Sequence, residues 1–194
     1  LPTAENEPAG EDTRFSLSEG LVNLLARLDV AILFSSYQSG YLYMLGRDGR
    51  GGAHLHQSGM LKPMGLSADR DGGFALSAGY QVMRFRNGLE PHEQVNNRFD
   101  ACFVARETHI TGELDAHDIG IARDGSPIFV NTRFNCLATT DPRHSFREIW
   151  RPPFISALVD EDRCHLNGLA MDAGEAAYVT AVSRSDTIDG WRDR

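Results

Sequence analysis

The sequence predicts an all-β fold, a partial β-propeller of about three to four blades built as four-stranded antiparallel meanders, preceded by a short N-terminal helix. Three observations predict it. A glycine and an aliphatic residue open a short apolar run that an aspartate closes four residues on, at Gly65-Leu66 to Asp69, Gly120-Ile121 to Asp124 and Gly168-Leu169 to Asp172. Each copy is followed by turn residues and a second run rich in Val, Phe or Tyr. The three glycines are 55 and 48 residues apart, near the ~40 to 50 residues of one four-stranded blade.

Taken in order, residues 1–15 lack apolar periodicity and read as a disordered lead-in; residues 16–194 read as the N-terminal part of a propeller domain truncated at its C-terminus. Ser18 offers an N-cap, and Leu21, Val22, Leu24, Leu25 and Leu28 recur at helical spacing, giving a helix that ends near Asp29 and covers a core edge. From Val30 the period shortens. Val30 to Ser35 and Tyr41 to Leu45 flank a turn at Tyr37-Gln38-Ser39-Gly40, and Arg47-Asp48-Gly49 turns the chain into Ala53 to His56. The second meander runs through Gly65 to Ala68, Phe74 to Ser77 and Val82 to Phe85. The third takes Ile119 to Ala122, Ile128 to Asn131, Cys136 to Thr139 and Phe146 to Trp150. The fourth opens at Leu166 to Met171 and Ala177 to Ala181. Residues 30 to 181 thus supply three blades and a fraction, where a ring needs at least four. The expectation is a fragment whose open blade edge permits self-association.

Composition excludes several partners. A net charge of −8 without a Lys/Arg block argues against nucleic acid and anionic lipid. No stretch approaches the ~18 apolar residues of a membrane span and no signal-peptide pattern opens the chain, so a cytoplasmic location is expected. Cys102, Cys136 and Cys164 are odd in number and lack a Cys-x-x-Cys pair, which points to reduced thiols. Neither a Gly-x-Ser-x-Gly elbow nor a His-Glu-x-x-His helix occurs.

Antiparallel order alone puts the start of each blade's first strand and the turn between its second and third strands at one end. Loops there, on a rigid scaffold, are where a site belongs. Aligned on the glycines, Lys62, His117 and His165 form one column, and Met64, Ile119 and Asn167 another. The candidate ligand-binding residues are His117, Asp118, Arg133, His165 and Asn167. His117, His165 and Asn167 are also candidate ligands of a divalent metal, and imidazole with amide oxygen suits Zn, Mn or Fe better than Ca. The competing reading has these groups hydrogen-bonding loop backbone between blades. Elsewhere, the glycine-rich Gly46 to Gly52 stretch reads as a turn, and His54 and His56 share one side of a solvated outer strand. Trp150 and Phe154 read as packing between blades.

Longer motifs carry a resemblance. Phe34-Ser35-Ser36-Tyr37-Gln38-Ser39-Gly40, Arg84-Phe85-Arg86-Asn87, Asp100-Ala101-Cys102-Phe103-Val104, Val130 through Ala138, and Trp150-Arg151-Pro152-Pro153-Phe154-Ile155-Ser156 through Glu161 to Leu169 resemble a bacterial family of conserved hypothetical proteins carrying a domain of unknown function. The likeness covers nearly everything from Phe15 to Arg194. It implies a chain that continues through further blades, and it brings no established activity. A looser similarity is to six-bladed gluconolactonase and senescence-marker-like propellers, through Asn167-Gly168-Leu169, where it implies a metal-binding asparagine; the carboxylate ligands of that site have no counterpart here. The expected function is binding of a small polar ligand or metal at the channel face. The alternatives are metal-dependent hydrolysis of a lactone or ester, and a protein-interaction scaffold without catalysis.

Overall fold

A computed structural model describes residues 14–48 and 50–192. Most of the expected lead-in, and Gly49 of the expected turn, lie outside the described residues. The short helix α1 (Leu21–Leu28) is capped by Gly20 in the left-handed region, φ 85°, and not by the Ser18 side chain; Ser18 contributes its carbonyl, which accepts from the Leu21 amide. Leu25 is buried, and Asp29, which ends the helix, pairs with Arg47 at 2.6 Å.

The strands fall into four antiparallel sheets in chain order. The first holds β1 (Ile32–Ser36), β2 (Tyr41–Arg47) and β3 (Ala53–Gly59); the second, β4 (Pro63–Ala68), β5 (Phe74–Ala78), β6 (Gln81–Asn87) and β7 (Phe103–Ile110). The third holds β8 (Ala116–Ile121), β9 (Pro127–Asn131), β10 (Cys136–Thr139) and β11 (Arg147–Trp150), and the fourth β12 (Leu166–Asp172) and β13 (Glu175–Ala181). Each connects neighbours by hairpins, and β4, β8 and β12 lie side by side.

Strand alternation builds the core between sheets. On β5, Phe74, Leu76 and Ala78 join Leu42 and Phe85 between the first two sheets, while Ala75 points the other way, to Ile119, Phe129 and Cys136. On β9, Ile128 and Val130 face Ile155, Cys164 and Leu166, with Phe129 on the reverse side. Central strands buried on both faces therefore read as unbroken apolar runs.

A repeated clasp joins the sheets and identifies the strands. Near the end of β5, Ser77 Oγ donates to the Ala116 carbonyl at 2.6 Å; just after β9, Thr132 Oγ1 donates to the Leu166 carbonyl at 2.6 Å. In each case the second strand of one sheet holds the head of the next sheet's inner strand. Near the end of β1, Ser35 Oγ donates in the same way to the Met64 carbonyl at 2.5 Å. By this clasp β1 is the counterpart of β5 and β9, a second strand. The first sheet thus has no innermost strand among the described residues.

The inner strands also correct the glycine alignment. All three carry an irregularity at the same ladder position, between Pro63 and Leu66, Ala116 and Ile119, and Leu166 and Leu169. This register makes Asp118, and not Gly120, the equivalent of Gly65 and Gly168. The glycines meet different neighbours: a Cβ on Gly65 would stand 2.6 Å from Asp118 Cα, whereas one on Gly120 would stand 2.5 Å from Met171 Cγ. The true strand-head column is Lys62, Asp115 and His165, each left-handed with φ 44°, 48° and 50°, a conformation uncommon outside glycine. Lys62 and Asp115 pair across neighbouring sheets at 3.1 Å. His117 matches Met64 and Asn167, one position into the strand.

Candidate functional site at the heads of the inner strands

The turn after β9 builds this end of the molecule. Its residues Thr132, Arg133 and Asn135 each reach a different part of the 160–166 segment leading into β12. Asn135 is fully buried: its Nδ2 donates to the Glu161 carbonyl at 2.6 Å, and its Oδ1 accepts from the Arg163 and Cys164 amides at 2.9 and 3.0 Å. Arg133 forks onto Asp160 with bonds of 2.6 and 2.7 Å. The segment is thereby pinned before His165, whose own amide donates to Asp162 Oδ1 at 2.9 Å.

His117 and His165, from neighbouring inner strands, meet with ring centroids 4.9 Å apart, edge to face. Each is tied to the protein through Nδ1. For His117 the partners are the Asp115 carbonyl at 2.8 Å and Thr132 Oγ1 at 2.9 Å. Because the Thr132 hydroxyl already donates to Leu166, both oxygens accept, which places a proton on Nδ1, so that a neutral His117 ring has its lone pair on Nε2. His165 Nδ1 donates to Asp162 Oδ2 at 2.5 Å, so a neutral His165 ring likewise carries a bare Nε2. Trp191, from the 3-10 turn Gly190–Arg192, lies over His165 at 4.1 Å between centroids. That turn is anchored where the Asp189 amide donates to the Asp162 carbonyl at 3.0 Å.

The other expected site residues are placed differently. Asp118 Oδ1 accepts from the Ile119 amide at 2.9 Å and Oδ2 from the Leu169 amide at 2.7 Å, so its carboxylate stitches β8 to β12. The Arg133 guanidinium is committed to Asp160, with Glu113 at 3.5 Å from its third nitrogen. Asn167 is exposed on β12. Among the described residues no group of three His, Cys, Asp or Glu is placed to hold a metal ion. Four contributors escaped the sequence reading: Asp115, Thr132, Asp162 and Trp191. Asp162 carried a faint signal, an aspartate three residues before a histidine, the spacing of a local turn. Trp191 carried none.

Consecutive antiparallel sheets joined in chain order, with inner strands side by side and polar groups gathered at the strand heads, define a protein of the β-propeller type. The chain belongs to a family known as a domain of unknown function (DUF4915), whose model matches residues 19–194. No curated protein matches. Among solved structures, a streptogramin B lyase is similar in fold, with 12% identity and a TM-score of 0.44 over 72% of this chain. The chain spans 40% of the length of that structure. No helix among the described residues is long and apolar enough to cross a membrane.

Proposed function

We propose that the strand-head face binds a small polar ligand, with His117 and His165 as its principal contacts and Asn167 beside them on β12. One observation carries this reading: two imidazoles from separate sheets are held in contact with both Nδ1 atoms spoken for and neither Nε2 atom hydrogen-bonded among the described residues. Packing alone does not require that. A buried structural histidine would satisfy both nitrogens, whereas paired Nε2 atoms accept hydrogen bonds from hydroxyl or amine groups of a ligand. Asp118 and Arg133 act as supports, holding the strands and the segment that carry the two rings.

A metal is the narrower version of the same reading. Two Nε2 atoms and the Asn167 oxygen make an incomplete shell, and the nearby carboxylates of Asp118 and Asp162 are engaged elsewhere. No hydrolytic step is therefore assigned to a metal. Thermal melts of the protein against a panel of polyols, amino acids, small carboxylates and Zn, Mn or Mg salts provide the test. The expected result is a saturable rise in Tm from an organic member of the panel, lost in both His117→Ala and His165→Ala. Melts that no compound shifts, or shifts that survive both substitutions, would overturn the assignment.

A further inference from the structure

The first two sheets do not close on each other along their whole length. Near the turn end of β1 their space is filled by Leu42, Phe74 and Leu76. Toward the far ends of β2 and β6, away from His117 and His165, they part around a cavity of about 840 Å³, within the ~300–1,000 Å³ of small-molecule sites. Its floor is apolar, from Leu33, Met44, Met60, Phe85 and Phe103. Its wall is not: β3 turns His54, His56 and Ser58 into it.

These histidines were expected on a solvated outer strand. Their shared side does hold, but that side faces the inter-sheet space, with His54 half-buried and His56 exposed at the mouth. Burial first, then the charge of Arg98, lowers the His54 pKa and so favours the neutral ring, which can both donate and accept. It makes no hydrogen bond among the described residues, and its contact is with Phe99, 4.8 Å between centroids.

Phe99 belongs to the roof, the segment 88–102 between β6 and β7, longer than most connections in a compact domain. The neck of this segment is closed: the Gly88 amide donates to the Cys102 carbonyl at 2.8 Å, and the Cys102 amide to Asn87 Oδ1 at 2.9 Å. Inside, Val95 and Phe99 form a bridge. Arg98 lies over the Phe99 ring at 4.9 Å with Asp48 at 3.7 Å, beyond hydrogen-bonding distance. Asp48 Oδ1 accepts from the Gly52 and Arg50 amides at 2.7 and 2.9 Å, which leaves Oδ2 facing Arg98. Asp29 is paired with Arg47, leaving Asp100 as the remaining acidic group at the wall.

We propose that this cavity is a second binding site, taking a small molecule with a flat apolar ring system and one anionic head: the rings lie on the methionine and phenylalanine floor, and the head meets Arg98 and His54. Protein interiors are packed to near-crystalline density. A space of this size, lined by an imidazole, His54, that makes no hydrogen bond among the described residues and by a part-exposed guanidinium, Arg98, whose pairing with Asp48 is a loose 3.7 Å, is built for an occupant, not for core.

Cys102 lines the cavity and provides the reporter. The other two thiols are buried, with burial pushing Cys136 to about 12 and Cys164 to about 11, so a thiol reagent at pH 8 reads Cys102. The probes are 8-anilinonaphthalene-1-sulfonate and its uncharged relative N-phenyl-1-naphthylamine. Both are expected to bind saturably at one equivalent and to slow Cys102 modification by about tenfold near saturation. Arg98→Met should weaken the sulfonate by about tenfold and leave the neutral probe unchanged. His56→Trp, which fills the mouth, should exclude both while retaining the parent's circular dichroism. A His56→Trp protein that misfolds leaves the protection of Cys102 in the parent as the deciding measurement. Unprotected Cys102, or non-saturating binding, overturns the site; equal loss of both probes in Arg98→Met overturns the anionic head.

Discussion

Single residues decide the chemistry of this chain through the few contacts each can make. Asp69 is a clear instance. Its carboxylate is 5% exposed and meets Arg84 at 2.6 Å and Arg86 at 3.1 Å. Burial pushes its pKa up, and the Arg84 hydrogen bond with the two positive charges outweighs it, so the folded value lies below the ordinary 3.8. A pKa lower in the folded than in the unfolded state contributes stability that is complete above 3.8 and is lost as pH falls through the folded value. Asp69→Asn is therefore expected to cost about 3 kcal/mol at pH 7, because it strands Arg84 half-paired. In urea melts the gap between variant and parent should narrow below pH 4. A gap that stays constant with pH would remove the ion pair as its cause. At the same scale, His117 and His165 were legible as two histidines at strand starts. Their partners Thr132 and Asp162 were not, since a hydroxyl and a carboxylate at turns are common and only contact singles them out.

At the scale of elements, the clasp from second strand to next inner strand is what turns separate meanders into one array. Ser77, as deeply buried as Thr132, makes two bonds there, its Oγ accepting from the Gly65 amide at 2.9 Å and donating to the Ala116 carbonyl. Removing it leaves two buried backbone groups without their partner, a cost of about 2 kcal/mol. Ser35, which makes a single bond and is only half-buried, should cost about 1 kcal/mol on truncation. Chemical denaturation of Ser77→Ala and Ser35→Ala checks the order; the reverse ranking would contradict the clasp. Strands and turns were readable from alternation and from Gly, Asp and Pro. The strand-head register was not. Each inner strand is irregular within its first residues, and spacing counted on Gly120 slides the third sheet by two positions.

For the molecule as a whole, burial is concentrated in the middle. Every residue of β5, β9 and β10 is buried, whereas β13 and nearly all of β7 are exposed or half-exposed. Hydrogen exchange should therefore be slowest in β5, β9 and β10 and fastest in β13 and the outer edge of β7, because local opening follows buried contact. Uniform protection across the four sheets would contradict this gradient. The exposed Tyr178, 77% accessible on β13, shows how little covers the last sheet. The first sheet, read from residues alone, was one antiparallel meander of three runs with no inner strand assigned. The Ser35 clasp fixes β1 as a second strand.

What the sequence determined by itself was the set of sheets and the end of the molecule where polar groups gather, because alternation, turn chemistry and antiparallel order are local properties that each segment carries. Tertiary structure alone decided which strand heads are neighbours, that two imidazoles touch with their outer nitrogens free of hydrogen bonds among the described residues, and that His54 faces a cavity. Those depend on how sheets pack laterally and where each ladder slips, and no periodicity within a segment records either.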